Sequence, residues 1–174
     1  DADNRSAIKN CHNTAPDRGS NLNVYVNRGY GGGIVAYARY TDISNSTSTV
    51  TMRGINTSIR LGGIAAYLNN SHINNCTATS TALRSDNQTY IGGIASHVNA
   101  GSSVKNSTFN GKITKSTTSF ASGMVAAKVV EGATIENCGV AGSIFGTDIT
   151  AENYSNYLIG ETSITPTGCY YLTE

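Results

Sequence analysis

The sequence predicts an all-β solenoid: one domain, residues 1–174, coiling through five to six rungs of about thirty residues each. Three observations predict it. Gly32-Gly33-Ile34-Val35-Ala36-Tyr37 returns as Gly62-Gly63-Ile64-Ala65-Ala66-Tyr67, as Gly92-Gly93-Ile94-Ala95-Ser96-His97 and as Ser122-Gly123-Met124-Val125-Ala126-Ala127, each thirty residues on. A second element, Ile8-Lys9-Asn10-Cys11, recurs as Ile43-Ser44-Asn45-Ser46, Ile73-Asn74-Asn75-Cys76, Val104-Lys105-Asn106-Ser107 and Ile135-Glu136-Asn137-Cys138. Its asparagines fall 35, 30, 31 and 31 residues apart. Finally, tryptophan is absent, proline occurs only at Pro16 and Pro166, and Gly, Ser, Thr and Asn dominate, which suits short strands joined by turns.

Taken in order, residues 1–31 read as a partial first rung and cap: the strand around Ile8, a turn at Pro16-Asp17-Arg18-Gly19, then Leu22 to Val26. Residues 32–157 hold the repeats. After each asparagine, alternate positions are small or apolar: Ser46, Ser48, Val50, Met52; Cys76, Ala78, Ser80, Ala82; Ser107, Phe109, Gly111, Ile113; Cys138, Val140, Gly142, Ile144. A period of two places these inward. The isoleucine two before the asparagine is inward as well, so the chain must bend at the asparagine. That residue tolerates the left-handed backbone of a bend, and Asn45, Asn75, Asn106 and Asn137 are expected to bond to one another as a structural ladder. The glycine pair marks another tight corner, by positive φ and by close approach of the next rung. From Gly123 to Gly160 the step lengthens to 37 residues, and residues 158–174 read as the last partial rung and cap.

Composition excludes several functions. Charged residues are 13% of the chain and the net charge is +1, so nothing favours nucleic acid or an anionic membrane. No apolar run approaches the roughly 18 residues of a membrane span. The chain opens on Asp1-Ala2-Asp3-Asn4, which suits a mature or excised segment of a larger protein. Cys11, Cys76 and Cys138 share the slot after the asparagine, with Ser46 and Ser107 between them. At ~4.8 Å per rung, same-slot cysteines two rungs apart are too distant to bridge, and Cys138 and Cys169 on neighbouring rungs are poorly aimed; buried, reduced thiols are expected. No metal or other cofactor is expected.

The closest-written rung, Ile135-Glu136-Asn137-Cys138-Gly139-Val140-Ala141-Gly142-Ser143-Ile144, resembles the GLUG-type repeat of bacterial surface and secreted proteins, which also accompanies immunoglobulin A-cleaving metalloproteases. The likeness runs over residues 8 to 172. It implies a right-handed, single-stranded parallel β-helix that acts as scaffold or adhesive stalk outside the cell or at its surface. The protease's His-Glu-x-x-His motif is missing, so no catalytic residue carries over.

The leading expectation is therefore a non-catalytic adhesion, binding or spacer module whose partner is a glycan or a host protein. Tyr37, Tyr67 and His97 form one column beside Val35, Ala65, Ala95 and Val125. If these point outward they make a flat apolar face edged by aromatics, which suits stacking on sugars. Two rivals remain. A carbohydrate-active β-helix needs clustered acids on one face, whereas most acids here lie singly in turns or near the termini. An ice-binding grid would use Thr47, Thr49 and Thr51 below Thr77, Thr79 and Thr81, and it stops after two rungs.

Overall fold

The computed structural model describes residues 4–14, 23–87, 89–115 and 121–173. The expected turn at Pro16–Gly19 lies outside them. The chain climbs through about five turns of a parallel β-solenoid, and each turn lays strands on four faces. Face one stacks Ser6–Lys9, Thr41–Ser44, His72–Asn74, Ser103–Lys105 and Thr134–Glu136. Face two is built on Thr47–Ser48 with Thr51–Gly54, Thr77–Ser85, Thr108–Lys115 and Gly139–Ile144. Face three stacks Tyr30–Gly32, Ile59–Gly62, Thr89–Gly92 and Ala121–Gly123. Face four stacks Val35–Arg39, Ala65–Asn69, Ala95–Val98, Ala126–Val129 and Ile159–Thr162.

Inward columns fill the interior. Ile8, Ile43, Ile73, Val104 and Ile135 stand in register on face one. Met52, Leu83, Ile113 and Ile144 do so on face two, and Ala38, Leu68, Val98 and Val129 on face four. From Ile43 onward these columns are buried, each side chain covering its copy in the next rung.

Two details of register differ from the strict alternation and the thirty-residue step. A bulge between Ser80 and Leu83 inserts one residue, so Leu83 and not Ala82 faces Met52 and Ile113. Thr81 of the expected threonine grid lies outside the residues whose side chains are described. On face three Gly123 pairs with Gly92, so Met124 fills the slot of Gly93 and the fourth copy is offset by one. Gly160 stands at the level of Ala127, because Ile159 pairs with Ala126.

The corners explain the turn residues. Asn10, Asn45, Asn75, Asn106 and Asn137 all adopt φ between 49° and 55° between faces one and two. A second left-handed column, Tyr40, Asn70, Gly101 and Gly132, turns face four into face one. The Gly-Gly corner is different: none of its glycines has positive φ. Their reason is proximity alone. A Cβ on Gly62 would collide with Ala65 O, and one on Gly93 with Met124 O and the Phe109 ring.

The long segment after Ile144 closes the upper end. Thr147–Asp148 folds back antiparallel on Ser143–Ile144, and a 3-10 turn at Tyr154–Tyr157 replaces the face-three strand. There the Met124 N–H donates to Tyr157 O at 2.7 Å and Tyr154 Oη donates to Cys169 O at 3.2 Å. Tyr154, Tyr157, Ile164 and Tyr171 cover the last core layer.

Candidate functional site

Faces three and four meet at an inward-bent corner, and side-chain size lets it close. Ala36, Ala66, Ser96, Ala127 and Gly160 line it. Ala66 and Ala127 are buried yet stand outside the core cluster. Ser96 Oγ donates across the corner to Tyr90 O at 3.0 Å, and a Cβ on Gly160 would press on the Ser122 backbone. Ala65 and Ala95, in contrast, join the core. The expected flat outward face of small apolar residues therefore does not exist: one small column packs inside and the next fills the corner.

Larger side chains flank this corner in two columns. Face three supplies Tyr30, Arg60, Tyr90 and Ala121 in register. Face four supplies Tyr37, Tyr67, His97, Lys128 and Glu161. Lys128, not Ala127, continues the aromatic column, a consequence of the offset at Gly123. The Tyr37 and Tyr67 rings stack at 5.0 Å with an interplanar angle of 8°, and Tyr67 stacks on His97 at 5.7 Å. Tyr30 meets Tyr37 and Tyr67 edge-on at 5.6 and 5.5 Å, and Tyr90 meets His97 edge-on at 4.4 Å. Such offset and T-shaped pairs are the favourable arrangements of ring quadrupoles. At the centre sits Arg60, its guanidinium carbon 5.3 Å from the Tyr30 centroid and 5.8 Å from those of Tyr67 and Tyr90.

The three residues expected to bind ligand thus have different surroundings. Tyr37 is 43% exposed, Tyr67 is half-buried and His97 is only 8% exposed. His97 belongs to the packing of the corner and not to an open surface. Burial first, then the charges of Arg60 and Lys128, push its imidazole down to about 4, so it is neutral at pH 7. The Tyr37 ring stacks on Tyr67 and is the most exposed of the three. Tyr30, Arg60 and Tyr90 had no place in the sequence-based site, although their thirty-residue step, two positions before each glycine pair, was visible.

The asparagines form the expected ladder with one break. Asn75 Nδ2 donates to Asn45 Oδ1 at 2.7 Å and Asn137 Nδ2 to Asn106 Oδ1 at 3.2 Å. Between them, Asn106 donates instead to Asn74 Oδ1 at 2.8 Å. The column beside them is equally regular. Cys11, Ser46, Cys76, Ser107, Cys138 and Cys169 each donate to the carbonyl two residues before them. All four cysteines are free.

Four carboxylates are held by bases. Asp42 pairs with Arg5, Glu136 with Lys105 and Glu161 with Lys128, while Asp86 lies between Arg53 and Arg84. Hydrogen bonding from Arg53 is the main cause that holds the Asp86 carboxyl below its usual range, the reverse of what a general acid needs. Among the described residues no three His, Cys, Asp or Glu side chains gather as a metal site would require.

Residues 87–114 match the family model of the GLUG motif. The match covers one turn, from the approach to face three through Gly92-Gly93-Ile94 and Asn106 to the face-two strand. Searches of curated proteins and of solved structures give no match.

Proposed function

We propose that this GLUG-type repeat β-solenoid is a non-catalytic adhesion or spacer module of a bacterial exported protein, placed outside the cell or at its surface. It recognises a glycan or a host protein through the tyrosine–arginine corner. The observation that carries the reading is the exposed Tyr37 ring, stacked on Tyr67 and braced edge-on by Tyr30. A ring whose rotamer is already held by neighbours loses little entropy when a sugar or an apolar side chain docks on it. Supporting it, the solenoid sets this ring on a scaffold of stacked ladders, and the carboxylates paired with bases are poorly suited to acid–base chemistry. The test is a glycan array probed with wild-type protein and a Tyr37→Ala/Tyr67→Ala double variant, both checked by circular dichroism. Selective binding by the wild type, lost in a folded variant, is the expected result. A wild-type protein that binds no glycan removes the sugar reading and leaves a spacer or a protein-docking surface.

A further inference from the structure

We infer that the ligand of this corner is an acidic saccharide, with Arg60 pairing to a sugar carboxylate beside the Tyr37 ring; the inference rests on the recognition role proposed above. Arg60 projects from face three between Tyr30 and Tyr90, where a residue of the repeat needs only to be compatible with an outer strand position. Its guanidinium is instead enclosed by three aromatic rings. Nε is buried and makes no hydrogen bond. Lys128, on the same corner, is neutralised by Glu161 at 3.0 Å, whereas no carboxylate pairs with Arg60 among the described residues. His97 is neutral at pH 7, so Arg60 is, among the described residues, a charge of the corner that no carboxylate compensates.

Ring quadrupoles stabilise such a cation but do not cancel its charge. A planar guanidinium partly withdrawn from water is matched in shape to a carboxylate, and the pair gains strength where solvent is partly excluded. One ring, Tyr30, separates Arg60 from Tyr37, touching both. A uronate chain can therefore lay one pyranose on the exposed part of the Tyr37 ring while a nearby carboxylate meets Arg60. A neutral sugar uses the ring and leaves the cation unpaired.

Titration calorimetry at low salt with an oligogalacturonate hexamer and its fully methyl-esterified form separates the two contributions. Wild-type protein is expected to bind the acid about tenfold more tightly than the ester, equivalent to ~1.4 kcal/mol. Arg60→Gln should erase that preference, so that acid and ester bind alike, and Arg60→Lys should restore part of it. Tyr37→Ala should weaken both ligands. Circular dichroism checks that each variant is folded. Equal binding of acid and ester by wild type, unchanged in Arg60→Gln, overturns the acidic-saccharide inference and leaves glycan recognition standing. If wild type binds neither oligomer the inference also falls, and the glycan array then decides the broader reading by itself.

Discussion

At the scale of single residues, the informative positions are those whose chemistry the repeat does not require. His97 is one. Its folded pKa of about 4 lies below the usual 6.5, so between those values the unfolded chain holds a proton that the folded one does not. Stability is therefore complete above about pH 6.5 and falls as the pH drops towards 4, by on the order of 3 kcal/mol. Thermal melts across that window should show the loss, and His97→Gln should flatten it; an unchanged slope in the variant would assign the loss to other groups. Cys169 is a second. The neighbouring Cys138 is the main cause that pulls its thiol down to about 7, whereas Cys169 and burial push Cys138 up. Half-buried Cys169 should thus be alkylated at pH 7.5 well before buried Cys76 and Cys138, and Cys138→Ala should slow it. Peptide mapping after brief iodoacetamide treatment reads both outcomes.

Within one rung, stability rests on corners and on facing columns. Asn75 combines a left-handed backbone with a ladder hydrogen bond. Asn75→Ala loses both, at a cost of about 2 kcal/mol, while Asn75→Gly recovers the backbone share and loses only the bond. Chemical denaturation of the two variants tests this ranking, and equal destabilisation would remove the backbone argument. Phe109 fills the space that the missing Cβ of Gly93 leaves open. Phe109→Ala should cost about 3–5 kcal/mol by opening a cavity in the centre of the stack, and Gly93→Ala should destabilise for the opposite reason, by collision with a backbone carbonyl and that ring. The glycine pair was legible in the sequence, and so was one of its two reasons. Its φ was not, because local composition cannot tell a glycine chosen for conformation from one chosen for room.

Across the whole molecule, each rung is supported by its neighbours, so order should be greatest where described rungs lie on both sides. Ala36 and Tyr37 are exposed on the first face-four strand, whereas Ala65, Ala66, Ala95 and Ser96 are fully buried above it. Amide hydrogen exchange should accordingly be slowest in Leu61–Asn69 and Ile91–Val98 and markedly faster in Ser6–Lys9 and Val35–Arg39. The upper end carries its own cover, the Tyr154–Tyr157 turn and the strand Tyr170–Tyr171. Uniform protection along the stack would contradict nearest-neighbour stabilisation.

By itself the sequence determined the solenoid, the size of its rung, the isoleucine ladder and the asparagine corner, because each of these repeats at a constant step and a period of two assigns its side. Only the tertiary structure decided the candidate site. Tyr30, Arg60 and Tyr90 come from face three, Tyr37, Tyr67 and His97 from face four, and what joins them is an inward bend whose depth depends on Ala66, Ser96 and Ala127 being small. Contacts across such a bend carry no periodic signature. Nor do the bulge before Leu83 and the offset at Gly123, which the chain reveals only when neighbouring rungs align their hydrogen bonds.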